Sequence, residues 1–165
     1  MFKSIITMSA ILMTSAAFAV ETPITGNVES KCSIYTDTAG VYGNPTPSTL
    51  STAPADGGVT PVVRYDVATA AAYTAKISWP QAFTTSPTLN DSVVWDGDTS
   101  VSNTSDAGMS GYEAAKIEYD NVTEFGLAVA GSTWFSIDST IAYGVAKPLP
   151  GGVYKSNVVA ECIAD

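Results

Sequence analysis

The sequence predicts an all-β fold, a two-sheet sandwich of seven to eight short strands. Three observations predict it. Most apolar runs alternate with a period of two, which puts one face of a strand in a core and the other in water. Thr, Val, Ser and Tyr are abundant, and clusters of Gly, Pro, Asn and Asp separate the runs. One cysteine stands near each end of the predicted domain, Cys32 and Cys162, in a chain that begins as exported chains do. Short strands separated by turn clusters in one domain pack most economically as two facing sheets.

Residues 1–19 read as a secretory signal. Lys3 supplies the positive charge, Ile5 to Phe18 is an apolar run broken only by small residues, and Ala17-Phe18-Ala19 is a small-x-small cleavage site. At ~15 apolar residues the run is short for a membrane span. Residues 20–31 form an arm leading into the first strand, with Ile24, Gly26, Val28, Cys32 and Ile34 on one face. Residues 32–165 form the domain. Thr36 to Gly58, with Gly40, Gly43, Pro45, Pro47, Pro54 and the Gly57-Gly58 pair, leaves room only for a short edge piece.

Val59 to Val67 alternates, with Val59, Val63, Tyr65 and Val67 on one face and Thr60, Arg64 and Asp66 on the other. Tyr73, Ala75, Ile77 and Trp79 restore the same period. The two are expected to pair as a hairpin. Ser92 to Trp95 is a short strand, and Asp96 to Gly111 a polar loop. Tyr112 to Tyr119 is ambiguous between helix and strand, and Phe125 to Val129 is a strand. From Ser132 to Val145 the alternation is cleanest, placing Phe135, Ile137, Ser139, Ile141, Tyr143 and Val145 inward. Pro148, Pro150, Gly151 and Gly152 then turn the chain into a final run ending at Cys162, so a C-terminal hairpin is expected.

Composition excludes several functions. The chain carries 16 acidic residues against 7 basic, for a net charge of −9, and no histidine. Such a surface repels nucleic acid and anionic lipid, so neither nucleic-acid binding nor membrane insertion is expected. Histidine, the usual general base and common metal ligand, is absent, and no nucleotide or hydrolase motif is present. No cofactor and no enzymatic activity are expected. The carboxylates Glu113, Glu118, Asp120 and Glu124 read as a solvated face. Asp96, Asp98 and Asp106 are hard oxygen donors at the close spacing calcium favours, although Asx-rich β-connections have the same composition for the sake of local turn bonds. Trp79, Trp95 and Trp134 read as core, with a sugar-stacking platform as the alternative. Two cysteines in an exported chain read as one disulfide, Cys32–Cys162, with free thiols as the alternative.

Gly26, Val28, Cys32 and Ile34, together with the Pro150-Gly151-Gly152-Val153-Tyr154 turn and the alternating Val158, Ala160 and Cys162, resemble the first and closing strands of bacterial chaperone–usher pilins. The resemblance implies an immunoglobulin-like sandwich completed by an N-terminal strand donated from the next subunit. It implies Ile24, Gly26 and Val28 as subunit contacts, a homopolymer on the bacterial surface reached through the periplasm, and a periplasmic chaperone and outer-membrane usher as partners. A monomeric secreted binding module for carbohydrate or a surface partner is the alternative.

Overall fold

The computed structural model describes residues 25, 31–69, 72–145 and 147–165. The predicted signal and the arm contacts Ile24, Gly26 and Val28 lie outside them. The described residues form an all-β sandwich of ten strands: β1 (Cys32–Thr38), β2 (Gly43–Thr46), β3 (Thr49–Ser51), β4 (Val62–Val67), β5 (Tyr73–Ser78), β6 (Val93–Thr104), β7 (Ile117–Tyr119), β8 (Val122–Leu127), β9 (Gly131–Tyr143) and β10 (Val159–Ala164).

Strand β9 is the spine of the larger, six-stranded sheet. β6 pairs along one of its sides from Val93 opposite Tyr143 to Thr104 opposite Thr133. The remaining pairing is shared, with β4 along Gly131 to Ser136 and β3 along Thr140 to Ala142. β1 is added outside β4, and β2 outside β3. The smaller sheet runs β10-β5-β8-β7, and every pairing in both sheets is antiparallel.

The faces chosen by alternation are the buried ones within the strands, but Val59 and Val145, assigned to the same inward faces, lie beyond the ends of β4 and β9 and are exposed. Phe135, Ile137, Ile141 and Tyr143 of β9 are buried, as are Val63, Tyr65 and Val67 of β4 and Tyr73, Ala75 and Ile77 of β5. Phe135 stands at the centre, 4.5 Å from the ring of Phe125 across the sandwich and 5.4 Å edge-on from Tyr65. Edge-on and offset arrangements are the ones the ring quadrupole favours.

Both predicted hairpins are corrected by the sheet pairing. β4 has its two edges taken by β1 and β9, and β5 has its own taken by β10 and β8. The chain between them therefore crosses from one sheet to the other. The C-terminal hairpin fails in the same way: β9 lies in the larger sheet, whereas β10 lies in the smaller one. Gly144, at φ 53°, turns the chain out of β9 in a left-handed conformation that suits glycine.

Two further segments were under-read as loop. Asp96 to Thr104 belongs to β6, whose outward positions are Asp96 and Asp98 and whose inward ones include Gly97 and Thr99. At Gly97 no side chain fits because Trp79 fills the space: a Cβ there would stand 2.7 Å from its ring. The proline-rich stretch forms the β2–β3 hairpin, closed by the Asn44 amide donating to the carbonyls of Thr46 and Thr49. The ambiguous Tyr112 to Tyr119 is divided, with a 3-10 turn at Glu113–Ala115 followed by β7.

The two sheets are joined at both sides. Cys32 of β1 and Cys162 of β10 form a disulfide across a sequence separation of 130. Such a bond fits an extracellular or periplasmic protein, and no helix among the described residues is long and apolar enough to cross a membrane. Nearby, Tyr65 reaches across the sandwich and its hydroxyl donates to the backbone oxygen of Glu161 at 3.0 Å. Burial foremost, then the negative charge of Glu161, raises the Tyr65 phenol well above its ordinary 10.0. Above pH 10 the unfolded chain ionises this phenol while the folded chain keeps it neutral, so the unfolded state binds fewer protons and stability falls with rising pH. We expect unfolding free energies measured from pH 9 to 11.5 to fall less steeply in Tyr65→Phe than in the parent, by up to ~1.4 kcal/mol per pH unit. Equal slopes would mean that Tyr65 is not held neutral.

Candidate functional site

The six-stranded sheet extends further than the four-stranded one, so part of its inner face is left without a covering strand. The resulting groove has a volume of about 950 Å³. Its floor is made by Leu50, Pro61 and Val63, with the hydroxyls of Thr52 and Ser139. One wall is the end of β1 and the segment after it, from Thr36 to Tyr42. The other is the extended chain from Tyr154 into β10 at Ala160.

That second wall is a continuation of β10 beyond the end of its partner. Tyr154, Ser156, Val158, Ala160 and Cys162 are half-buried and alternate with exposed residues, so the two-residue period read from the sequence persists from β10 back to Val153. Lys155 pairs with Thr85 and the Asp165 amide donates to the Ala72 carbonyl, both on the side of β5. Because backbone amides in a strand alternate in direction, those of Ser156, Val158 and Ala160 face the opposite side, into the groove. Among the described residues no strand pairs with this edge of β10, nor with the outer edge of β1. An unpaired edge next to an apolar floor is a template for another strand.

The segment is steadied from below. The hydroxyl of Tyr42 shares hydrogen bonds with Ser139 Oγ at 3.1 Å and Ser156 Oγ at 2.7 Å, so this side chain of the first wall crosses the floor and reaches the second wall. The Tyr154 ring packs on Phe83, which packs in turn on Trp95, and its hydroxyl donates to the Pro150 carbonyl at 2.6 Å.

The other candidate residues are dispersed. Asp96 and Asp98 point outward from β6, while Asp106 accepts from the Gly108 amide at 2.7 Å as the cap of a short turn. They form no joint site: Asp98 faces the Lys116 ammonium at 3.2 Å, and Asp96 accepts from the Gly97 amide. Lys116 also meets Glu113 at 3.2 Å and Glu118 at 2.8 Å, and donates to the Thr99 carbonyl. Partial burial works against its charge, but the bonds from Glu118, Glu113 and Asp98 outweigh this and hold the ammonium above the ordinary lysine range. This cluster clamps the β6 edge to the chain entering β7, on the side opposite the disulfide. Two of the four carboxylates read as a solvated face thus serve the clamp, and Glu124 accepts from the Tyr119 hydroxyl.

The tryptophans occupy separate places. Trp79 lies over Gly97, Trp95 joins the Phe83–Tyr154 group, and Trp134 is on the outer face of the larger sheet. There Trp134 and Tyr35 flank the Arg64 guanidinium, 6.0 and 4.8 Å from the ring centroids, while Arg64 Nε lies 3.0 Å from Asp66. The rings are engaged by an arginine of the same chain and make no common platform.

Sequence reasoning missed Leu50, Tyr42 and Thr36 as groove residues. No local pattern signals them, because the groove results from the unequal extent of two sheets. Comparisons with protein-family models, characterised proteins and solved structures find no match to this chain.

Proposed function

We propose that the chain is a structural subunit of an extracellular fibre, joined to its neighbours by addition of a β-strand at the groove. One observation carries the reading: the amides of Ser156, Val158 and Ala160 face an apolar groove in which no described strand pairs with them. Strand addition supplies that edge with backbone hydrogen bonds and the floor with alternating side chains. The donor in this reading is the arm of a second copy, residues 20–31, with Ile24 and Val28 on the buried face and Gly26 at the closest approach of the two backbones. The disulfide and the net charge of −9 suit a stable, water-exposed particle outside the reducing cytoplasm.

Size decides the matter. Chromatography and negative-stain microscopy of the native secreted chain are expected to show linear assemblies, and removal of residues 20–30 is expected to leave folded monomers. A monomer that never assembles at any concentration would reject the fibre and favour a secreted binding module.

A further inference from the structure

The two walls of the groove converge at one end. At Cys32 and Cys162 the edge strands of opposite sheets stand only 6.4 Å apart between Cα atoms and are covalently joined. A strand inserted between them needs about 9.6 Å, twice the ~4.8 Å spacing of paired strands. The gap cannot be widened without breaking the bond or moving β1 or β10, each held by a six-residue register to its neighbour. Past the disulfide the groove is lined by Thr36 and Thr38 on one side and by Tyr154 to Ala160 on the other. The Tyr42 hydroxyl crosses it to Ser156, so a strand seated along the whole of Tyr154 to Ala160 takes the place of that bond.

We propose that the Cys32–Cys162 disulfide is an end stop that fixes how far an added strand enters the groove, and hence its length and register. The inference rests on the strand-addition reading and assigns the bond a positioning role beyond stability. Tyr154 to Ala160 spans ~20 Å at ~3.3 Å per residue, the length of a strand of about seven residues. The seated strand ends beside Ala160, and any residue beyond stays outside the pairing.

The test uses synthetic peptides carrying the 20–31 sequence, truncated or lengthened at either end with alternating Val and Thr. Their binding to the full secreted chain, kept monomeric by dilution, is measured by titration. Affinity is expected to rise about tenfold for each two residues gained up to about seven, since each step adds backbone hydrogen bonds. It is then expected to stay level within about twofold. In the Cys32→Ser/Cys162→Ser variant the plateau is expected to move to longer peptides. As a measurement independent of that variant's folding, a photoreactive group on the leading residue of a long peptide should label Ala160 or Thr36 in the disulfide-bonded chain. Affinity that keeps rising with length, a plateau that is the same without the disulfide, or labelling of Ile163 and Ala164 would each overturn the end stop while leaving strand addition standing. If no peptide of any length binds, both fall together.

Discussion

Replacing Cys32 and Cys162 together by serine is expected to lower the stability of the chain by as much as ~5 kcal/mol, the chain-entropy value for a closed loop of this size. The bond links residues 130 apart in sequence, so the reduced chain regains almost the full freedom of an unfolded domain. The two strands it joins are sheet edges, each held by one neighbour in the described structure, and without the bond the core must hold them alone. At about 3 °C per kcal/mol for a chain of this length, the unfolding midpoint falls by roughly 15 °C. Amide exchange in β1 and β10 should accelerate before that in β9. A loss below ~1 kcal/mol would mean that the unfolded chain is already compact enough to hold the two ends together.

Phe135→Ala is expected to cost 3–5 kcal/mol, about 10–15 °C in midpoint. The ring is fully buried and contacts Tyr65 of its own sheet and Phe125 of the other. Its removal leaves a cavity bounded by two more rings that cannot both move inward, because the Tyr65 hydroxyl is tied to Glu161. Chemical denaturation checks the value. A cost under ~1.5 kcal/mol would show that the site collapses around the smaller side chain and that the sheets are not held at a fixed separation.

The inside of the sandwich was legible because alternation is a property of single strands. Val63, Tyr65, Ile77, Phe135 and Ile137 were placed on the correct face without knowledge of their partners. Pairing was not legible, since two adjacent strands with good alternation fit a hairpin and a sheet-crossing connection equally well. That ambiguity produced the wrong hairpins at β4–β5 and β9–β10. Strand β6 was legible only as far as Trp95, because the inward residues that follow, Gly97 and Thr99, are small and weakly apolar, and at Gly97 the Trp79 ring occupies the space a side chain would take. Of the site, Cys32, Cys162 and the alternation of Val158, Ala160 and Cys162 were visible in the sequence. The floor beneath them was not, because Leu50, Val63 and Ser139 come from three strands scattered over the chain.

The central claim is that backbone edges join one copy to the next, and a proline tests it most directly. Ala160→Pro removes a single amide hydrogen, one that faces the groove rather than β5, so the existing ladder keeps its bonds and an edge position tolerates the ring. With near-ultraviolet circular dichroism as the control for folding, the variant is expected to unfold within about 1–2 kcal/mol of the parent and to remain monomeric under conditions in which the parent assembles. Fibres of undiminished length from a folded Ala160→Pro chain would contradict the account.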